Sequence, residues 1–477
     1  MVFNSFAFLV FFPVVTVLYF ALPHAVRWLL LLLASCVFYM AFIPKYILIL
    51  FLTILIDYAA GLFIAGTDSK RKKHLYLVIS LVSTVSVLFV FKYFDFLNES
   101  VAAVARFLHW NYGIENLKII LPIGLSFHTF QSMSYVIEVY RGNQKVERHF
   151  GIYALYVMFY PQLVAGPIER PQNLLHQFRE RHDIDYDRVT GGLKRMAFGL
   201  FKKVVIADQL ALVVNEVYGH PHDYTGFSLM FATFCFSYQI YCDFSGYSDI
   251  ALGSAQVMGF RLMENFDRPY AAPSVTDFWR RWHISLTSWF RDYLYIPLGG
   301  NRVEKSRWYL NIFITFLISG LWHGANWTFI AWGALNGMYL LLSIWAAPLR
   351  ETVIRLTSMR KHPRLHRTFR AVATFLLISF AWIFFRSNSL GDAVYIITHL
   401  FSGLTGVSRS SGVAFNGSVL YFILFMEYVQ YTHRMKMGNL FSGMPVLLRW
   451  SFYYALVMFI VVYFGASNEQ QFIYFQF

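Results

Sequence analysis

One histidine interrupts a long uncharged stretch in the second half of the chain. The stretch runs for 42 residues from Trp308 to Leu349, and His323 is its only histidine. A histidine is costly to bury in such a segment, so its ring should face the protein interior or a water-filled cavity. An imidazole titrates near neutral pH, and it can take a proton from a hydroxyl and return one to a leaving group. We predict that His323 is catalytic; a hydrogen-bonded structural histidine is the alternative.

Small and polar residues surround this histidine. Gly320 and Gly324 would let a ligand or a second backbone approach closely. Small residues four positions apart are also a device for close helix packing in membranes. Asn326 can hydrogen-bond the imidazole ring or a freed carbonyl. The pattern leaves open whether the glycines serve binding or packing.

A second concentration of polar side chains lies between Asp277 and Gly300. Arg280 and Arg281, interleaved with tryptophans, could hold a phosphate-bearing ligand, with Asp292 in the same segment. Contact with lipid headgroups at the membrane interface is the alternative. His283 also lies here, although an interfacial histidine needs no special role.

A third polar cluster, residues 238–249, closes a predicted span and contains Asp243 and Asp249. Two carboxylates with several hydroxyls either contact a substrate directly or cap helix ends and join hydrogen-bond networks. No H-E-x-x-H, C-x-x-C, Walker loop or G-x-G-x-x-G occurs in the sequence. The sequence therefore predicts neither a metal site nor nucleotide hydrolysis.

The composition requires a membrane around these residues. Of 477 residues, 57% are hydrophobic and 14% are charged, whereas about 25% are charged in an average soluble protein. This excludes a soluble globular chain and a disordered one. The length allows about ten to thirteen spans. The net charge of +14 suits cytoplasmic loops rich in Lys and Arg rather than nucleic-acid binding, and a basic inner face would attract anionic substrates.

Apolar runs and basic loops give the order of spans. Basic segments 69–74 and 141–148 should be cytoplasmic, which places the loop around 95–99 and the N-terminus outside. Pro161, Gly166 and Pro167 predict a broken or re-entrant helix over 150–168. The basic segment 350–370 is predicted as a cytoplasmic loop. The predicted spans are 2–22, 26–43, 46–66, 75–94, 117–140, a helical pair at 190–218 and 226–248, a hairpin at 308–349, then 370–386, a shorter piece at 391–404, 417–432 and 448–466.

Several motifs together resemble one family. The pieces that carry the resemblance are Gly320–Trp327 with Trp332-Gly333 and Asn336-Gly337, Asp277–Leu286, Trp289–Arg302, Ala165–Ile168, Asp243–Asp249 and Phe472–Phe475. On these pieces the chain is similar to the membrane-bound O-acyltransferases, and within them to the bacterial alginate O-acetylase type, over nearly its whole length.

The resemblance implies a fold and a site. It implies a single all-α membrane domain over 1–477, with N-terminal spans in 1–140, a core with the motifs and catalytic hairpin in 141–349, and C-terminal spans in 350–477. The bundle would be funnel-shaped around a central passage, in the bacterial inner membrane. His323 would be the catalytic histidine and His283 the second site position.

The resemblance also implies a reaction. We expect acyl transfer from a cytosolic thioester, acetyl-CoA being the expected co-substrate, to a hydroxyl of an extracytoplasmic polysaccharide. No bound cofactor or metal is expected. Trp322, Asn326 or His283 would supply an oxyanion donor, and Arg280, Arg281, Asp243 and Asp292 are candidate substrate contacts. Expected partners are membrane lipid and periplasmic or membrane-anchored acetyltransferases that relay the group. D-alanyl transfer to a cell-wall polymer, a transporter and a non-catalytic export scaffold are the alternatives.

Overall fold

The computed structural model describes residues 1–164, 166–357, 361–402, 417–433, 444–466 and 472–473. Within these ranges the regular structure is helical, and no strand occurs among them. The α-helices are α1 Phe6–Ala21, α2 His24–Met40, α3 Ile47–Ala65, α4 Lys70–Leu88, α5 Phe94–Phe107, α6 Leu125–Arg141, α7 Phe150–Met158, α8 Tyr160–Leu163, α9 Pro171–Leu174, α10 Tyr186–Leu200, α11 Asp208–Gly219, α12 Phe227–Met258, α13 Val275–Trp279, α14 Ile284–Phe290, α15 Lys305–His323, α16 Trp327–Trp345, α17 Ala347–Leu356, α18 Pro363–Arg386, α19 Leu390–His399, α20 Ser418–His433 and α21 Val446–Ala466. The π-helices are Phe89–Tyr93, Phe201–Ala207 and Arg291–Tyr295, and the 3₁₀ turns are Pro44–Tyr46, His176–Arg179, Pro221–Asp223 and Pro269–Ala271.

Five helical segments in the described part of the chain are long and apolar enough to cross a membrane. They are Pro44–Ala65, Lys70–Phe107, Trp327–Trp345, Pro363–Arg386 and Val446–Phe464. Two shorter apolar helices, α1 and α2, precede them. The polytopic membrane class predicted from composition and the all-α class implied by the resemblance are thereby confirmed.

Two predicted boundaries in the N-terminal part were wrong. The span predicted to end at 94 continues through a π-helix and α5 to Phe107. Asp95, which was expected in an outer loop, therefore lies in a helix. Asp95 accepts hydrogen bonds from the backbone N–H groups of Leu117 and Lys118. The span predicted from 117 starts only at Leu125, because Gly124 has a left-handed φ of 77° and helix geometry cannot pass through it.

The break predicted in 150–168 is confirmed. α7 ends at Met158, Phe159 takes φ −51° and ψ 111°, and α8 restarts at Tyr160. Pro161 explains the interruption because it has no N–H to donate back into α7. Residues 151–163 are all buried, as an irregular backbone in a membrane protein requires. Of the motif around this break, Ala165 lies outside the described residues.

The later helices follow the predicted order with one correction. The predicted helical pair is present. Its first member is the helical segment 186–219, in which a π-helix joins α10 to α11, and its second member is α12. The uncharged stretch forms the predicted hairpin, α15 and α16, with residues 324–326 between the helices. The segment 350–370 is not a loop: α17 reaches Leu356 and α18 starts at Pro363, because good helix formers among its basic residues favour helix. Residues 358–360, 403–404 and 474–475, which enter the predictions above, lie outside the described residues.

The chain divides into two compact units. The first comprises Met1–Met196 and Ser248–Met263, and the second comprises Ala197–Tyr247 and Glu264–Phe477. Apart from Asp249, the predicted site residues belong to the second unit, so the site can be built from that unit alone.

Candidate active site

His323 is the last residue of α15, and its side chain is enclosed by aromatic rings. The residue is only 4% exposed. Its ring centroid lies 5.0 Å from Trp322, 5.0 Å from Trp332 and 5.3 Å from Phe385. The three neighbours meet the imidazole edge-on, at 70° to 87°. This inward orientation is what the cost of burying a histidine predicted.

Close contact between the two hairpin helices fixes where His323 lies. A Cβ placed on Gly320 would come within 2.3 Å of the carbonyl oxygen of Phe329 and 3.1 Å of the Cα of Gly333. A Cβ on Gly333 would come within 2.4 Å of the carbonyl oxygen of Phe316. α15 and α16 therefore cross backbone to backbone, and packing is the role of Gly320.

Asn326 starts the second helix of the hairpin. Its side-chain oxygen accepts a hydrogen bond from the Thr328 N–H at 3.0 Å, which caps α16. Its side-chain NH₂ donates to the carbonyl oxygen of Asn388 at 3.2 Å. Both ends of this amide are thus engaged in holding the hairpin turn beside the residues that follow α18.

The cap gives a testable stability difference. Asn326→Ala should lower the stability of the protein by about 1 kcal/mol, the usual cost of losing an N-cap side chain. Asn326→Asp retains an oxygen acceptor for the Thr328 N–H and should lose less. Thermal unfolding of the purified protein in detergent measures both variants. An alanine variant as stable as the wild type would mean that the cap contributes nothing.

His283 lies at the start of α14 in a left-handed backbone conformation, with φ 44°. Asn265 supports this conformation from across the loop. Its backbone carbonyl accepts from the Ile284 N–H at 3.0 Å, and its side-chain oxygen accepts from the Ser285 hydroxyl at 2.9 Å. The Ser285 oxygen lies 3.5 Å from His283 Nδ1. Asn265 is 1% exposed and His283 is 1% exposed, so the support is internal.

The two predicted histidines share one neighbour. The Trp322 ring lies 6.4 Å from His283 and 5.0 Å from His323. Phe244 meets His283 edge-on at 4.6 Å. The structure therefore brings His323, His283 and Trp322 into one aromatic-walled group, as a shared site requires.

Burial lowers the pKa of His283 to about 3. The ring is therefore neutral at pH 7 and keeps one N–H donor and one acceptor nitrogen. Since an unfolded histidine has a pKa of about 6.5, the unfolded chain binds the proton more tightly. His283 should accordingly reduce stability as the pH falls below about 6.5, and have no such effect above it.

This neutrality predicts a pH profile. Transfer activity between pH 5 and 8 should show no limb that belongs to His283, and His283→Gln should lower the rate without changing the shape of the curve. The measurement is kcat/KM against pH for the two proteins. Loss of a limb in the glutamine variant would contradict the buried, neutral assignment.

The predicted substrate contacts in the Asp277–Gly300 segment lie in ion pairs or at the surface. Arg281 Nε lies 2.8 Å from Asp277 Oδ2, one helical turn away. Asp292 pairs with Arg291 at 2.7 Å. Arg280 is exposed. The positions leave Arg280 accessible to an anionic ligand, with Arg281 held beside it.

Asp243 lies in a buried ion-pair network. Its Oδ1 is 2.8 Å from Lys203 Nζ, and the same Nζ is 2.8 Å from Asp208 Oδ1. All three residues are at most 3% exposed. Asp249, in the first unit, pairs instead with Arg195 at 2.9 Å. Both carboxylates lie within α12 and form ion pairs, so neither one caps a helix end.

Sequence reasoning missed several residues of the site wall. Phe385 touches His323 from α18, and Lys203 reaches Asp243 from the π-helix before α11. Neither carries a local signal, because each acts through a neighbour distant in the chain. Asn265 had no signal either, whereas Trp332 lay within the quoted motif.

Comparison with known proteins identifies the family. Residues 147–387 match the model of the membrane-bound O-acyltransferase family. The chain is 40% identical to the probable alginate O-acetylase AlgI of Pseudomonas aeruginosa over 408 residues, which are 84% of this chain and 75% of that protein. It is 36% identical to the peptidoglycan O-acetyltransferase of Helicobacter pylori, over 79% of this chain and 74% of that protein. The teichoic acid D-alanyltransferase of Bacillus subtilis is 25% identical over 46% of this chain and 58% of its own length.

The matched family region contains the hairpin, the His283 loop and Phe385, so it covers the whole aromatic-walled group around His323. The chain belongs to the membrane-bound O-acyltransferase family, and it is a multi-pass membrane O-acyltransferase.

Proposed function

We propose that this chain transfers an acetyl group from cytosolic acetyl-CoA to a hydroxyl of an extracytoplasmic polysaccharide, directly or through a partner protein. The observation that carries the proposal is His323, buried in aromatic rings at the end of a hairpin helix and one ring away from His283. Support for acetyl as the group comes from relatives that cover most of the chain and are named O-acetylases.

His323 suits the proton transfer. Its imidazole takes the proton of the accepting hydroxyl as the oxygen attacks the thioester carbonyl carbon. The tetrahedral intermediate then collapses, the carbon–sulfur bond breaks, and the proton passes from the imidazolium to the departing thiolate. The products are an acetyl ester and CoA thiol. A covalent acetyl-histidine, formed on His323 and then discharged to the hydroxyl, is the alternative route.

Stabilisation of the oxyanion requires an N–H donor aimed into a dry site. Neutral His283 retains an N–H, and the Trp322 indole carries another. Asn326 would first have to give up its bond to the Asn388 carbonyl. Among the three candidates we therefore favour His283 or Trp322.

The donor is anionic, which suits the arginines in the segment that precedes the hairpin. Arg280 and Arg302 are exposed, and Arg281 lies next to Arg280. Guanidinium groups bind phosphates bidentately, so these residues are proposed to hold the CoA phosphates on the cytoplasmic side. Contact with lipid headgroups is the alternative role for the same arginines.

Placement in the bacterial inner membrane follows from the reaction. With the basic flanks of the hairpin inside, the donor enters from the cytoplasm, and with the basic segments 69–74 and 141–148 inside, the N-terminus lies outside. A charged polysaccharide should not enter a largely apolar bundle. We therefore favour relay through a periplasmic or membrane-anchored acetyltransferase that accepts the acetyl group first.

The proposal is tested with purified protein in liposomes and acetyl-CoA labelled in the acetyl group. Release of CoA thiol, with label transferred to a hydroxyl-bearing acceptor in the other compartment, is the expected result. A carrier protein that bears D-alanine as a thioester is tested in parallel as the alternative donor. Transfer from that carrier but not from acetyl-CoA would replace acetyl by D-alanyl. If the chain cleaves no thioester, yet the polymer is acetylated normally in cells that contain it, the chain is a non-catalytic scaffold.

A further inference from the structure

Phe472 and Ile473 contact residues of α12 beside the site. We propose that Phe472 and Ile473, anchored on Asp243, are positioning residues that hold Phe244 and, through it, the His283 ring. This inference rests on the proposed function, because it assigns His283 to the acyl-transfer site. It assigns Asp243 a part in the site without substrate contact.

The anchor is a backbone hydrogen bond to a buried carboxylate. The Ile473 N–H donates to Asp243 Oδ2 at 2.8 Å, across 230 positions of sequence. The other oxygen, Oδ1, faces Lys203 Nζ, which also serves Asp208. One ammonium thus serves two buried carboxylates, and buried charges are costly unless hydrogen bonds satisfy them. The Ile473 amide supplies the additional donor that the second oxygen of Asp243 needs.

The residue before the anchor fills a space between rings of α12. Phe472 is fully buried, and it stacks on Tyr247 at 4.2 Å with the planes 27° apart. It also lies 5.9 Å from Phe244. Phe244 in turn contacts His283 at 4.6 Å. Within one turn of α12, Tyr247 therefore contacts Phe472 and Phe244 contacts the site histidine.

The consequence is mechanical. Without Phe472 a cavity opens beside Phe244, and that ring gains room to turn away from His283. His283 is held in a left-handed conformation that most residues avoid, so it depends on its surroundings to stay in place. We expect loss of orientation of His283 rather than loss of donor binding.

The test measures how accessible the His283 ring is to a chemical reagent. Diethyl pyrocarbonate modifies accessible histidines, and mass spectrometry measures its rate at His283 in the full-length protein. Phe472→Ala and Ile473→Pro, which removes the amide proton, should each raise that rate about tenfold. Ile473→Val retains the amide and is the matched control, expected to equal the wild type. Phe472→Leu retains most of the volume, and its intermediate rate provides the answer if the alanine variant does not fold.

A kinetic cycle separates positioning from general damage. Phe472→Ala should lower kcat about tenfold, since small misplacements of catalytic groups have such effects, with the KM for acetyl-CoA within about twofold. In a His283→Gln background the same change should cost little, because the residue it positions is already lost. Equal protection of His283 in all variants, or additive losses of kcat, would overturn the proposal. The modification assay keeps its meaning even if the protein shows no acetyl transfer.

Discussion

Replacing His323 by alanine is expected to reduce acetyl transfer by about a thousandfold, because positioned general bases contribute 10²–10⁴ to the rate. The ring is enclosed by Trp322, Trp332 and Phe385, so no solvent base can readily replace it. In cells that have this chain as their sole enzyme of the family, alkali-labile acetate on the envelope polymer should fall to background. The measurement is acetate released by mild alkali.

The control is a histidine outside the site. His176 lies in the first unit with its side chain 58% exposed, and His176→Ala should leave acetate release unchanged. Both variants must reach the membrane at the wild-type level. More than a tenth of the wild-type acetate in the His323 variant would show that another group does the chemistry.

The second large effect concerns the hairpin that carries His323. Gly320→Val should lower stability by about 3 kcal/mol or more, because overpacking a tight contact forces backbone to move. The new side chain would meet the Phe329 carbonyl oxygen, where even a Cβ is placed at 2.3 Å. The expected result is loss of monodisperse protein in detergent, with a lower midpoint of thermal unfolding for any that remains.

Gly113 provides the matched control. A Cβ at Gly113 has no described atom within 4 Å, so Gly113→Val should leave the unfolding midpoint unchanged. Should the Gly320 variant unfold at the wild-type temperature, the two hairpin helices would not touch as closely as the structure has them.

The sequence predicts the buried position of His323 well, because a histidine in a long uncharged membrane stretch is costly to expose to lipid and therefore faces the protein interior. The helices on either side follow from two apolar lengths between basic flanks, and Pro161 predicts the break in 150–168. These features are local, and local physical chemistry is sufficient for them.

Several contacts in and near the site could not be predicted, because their partners are distant in sequence. Phe385 lies 62 positions after His323, and Lys203 lies 40 positions before Asp243. Polar residues at 243–249 indicated a network, but no pattern named Lys203 or the Ile473 amide as partners. The boundary near 107 was missed because the charges at Asp95 and Glu99 resemble a loop, whereas Asp95 holds the backbone at 117–118 from a helix.

The most direct test compares wild type and His323→Gln as purified protein, with acetyl-CoA labelled in the acetyl group. Glutamine has similar length but cannot accept a proton at neutral pH. We expect both proteins to bind acetyl-CoA with similar affinity, and only the wild type to release CoA thiol and pass labelled acetyl to an acceptor hydroxyl. Equal thiol release and transfer by the glutamine variant would contradict the assignment of His323 as the chemical residue.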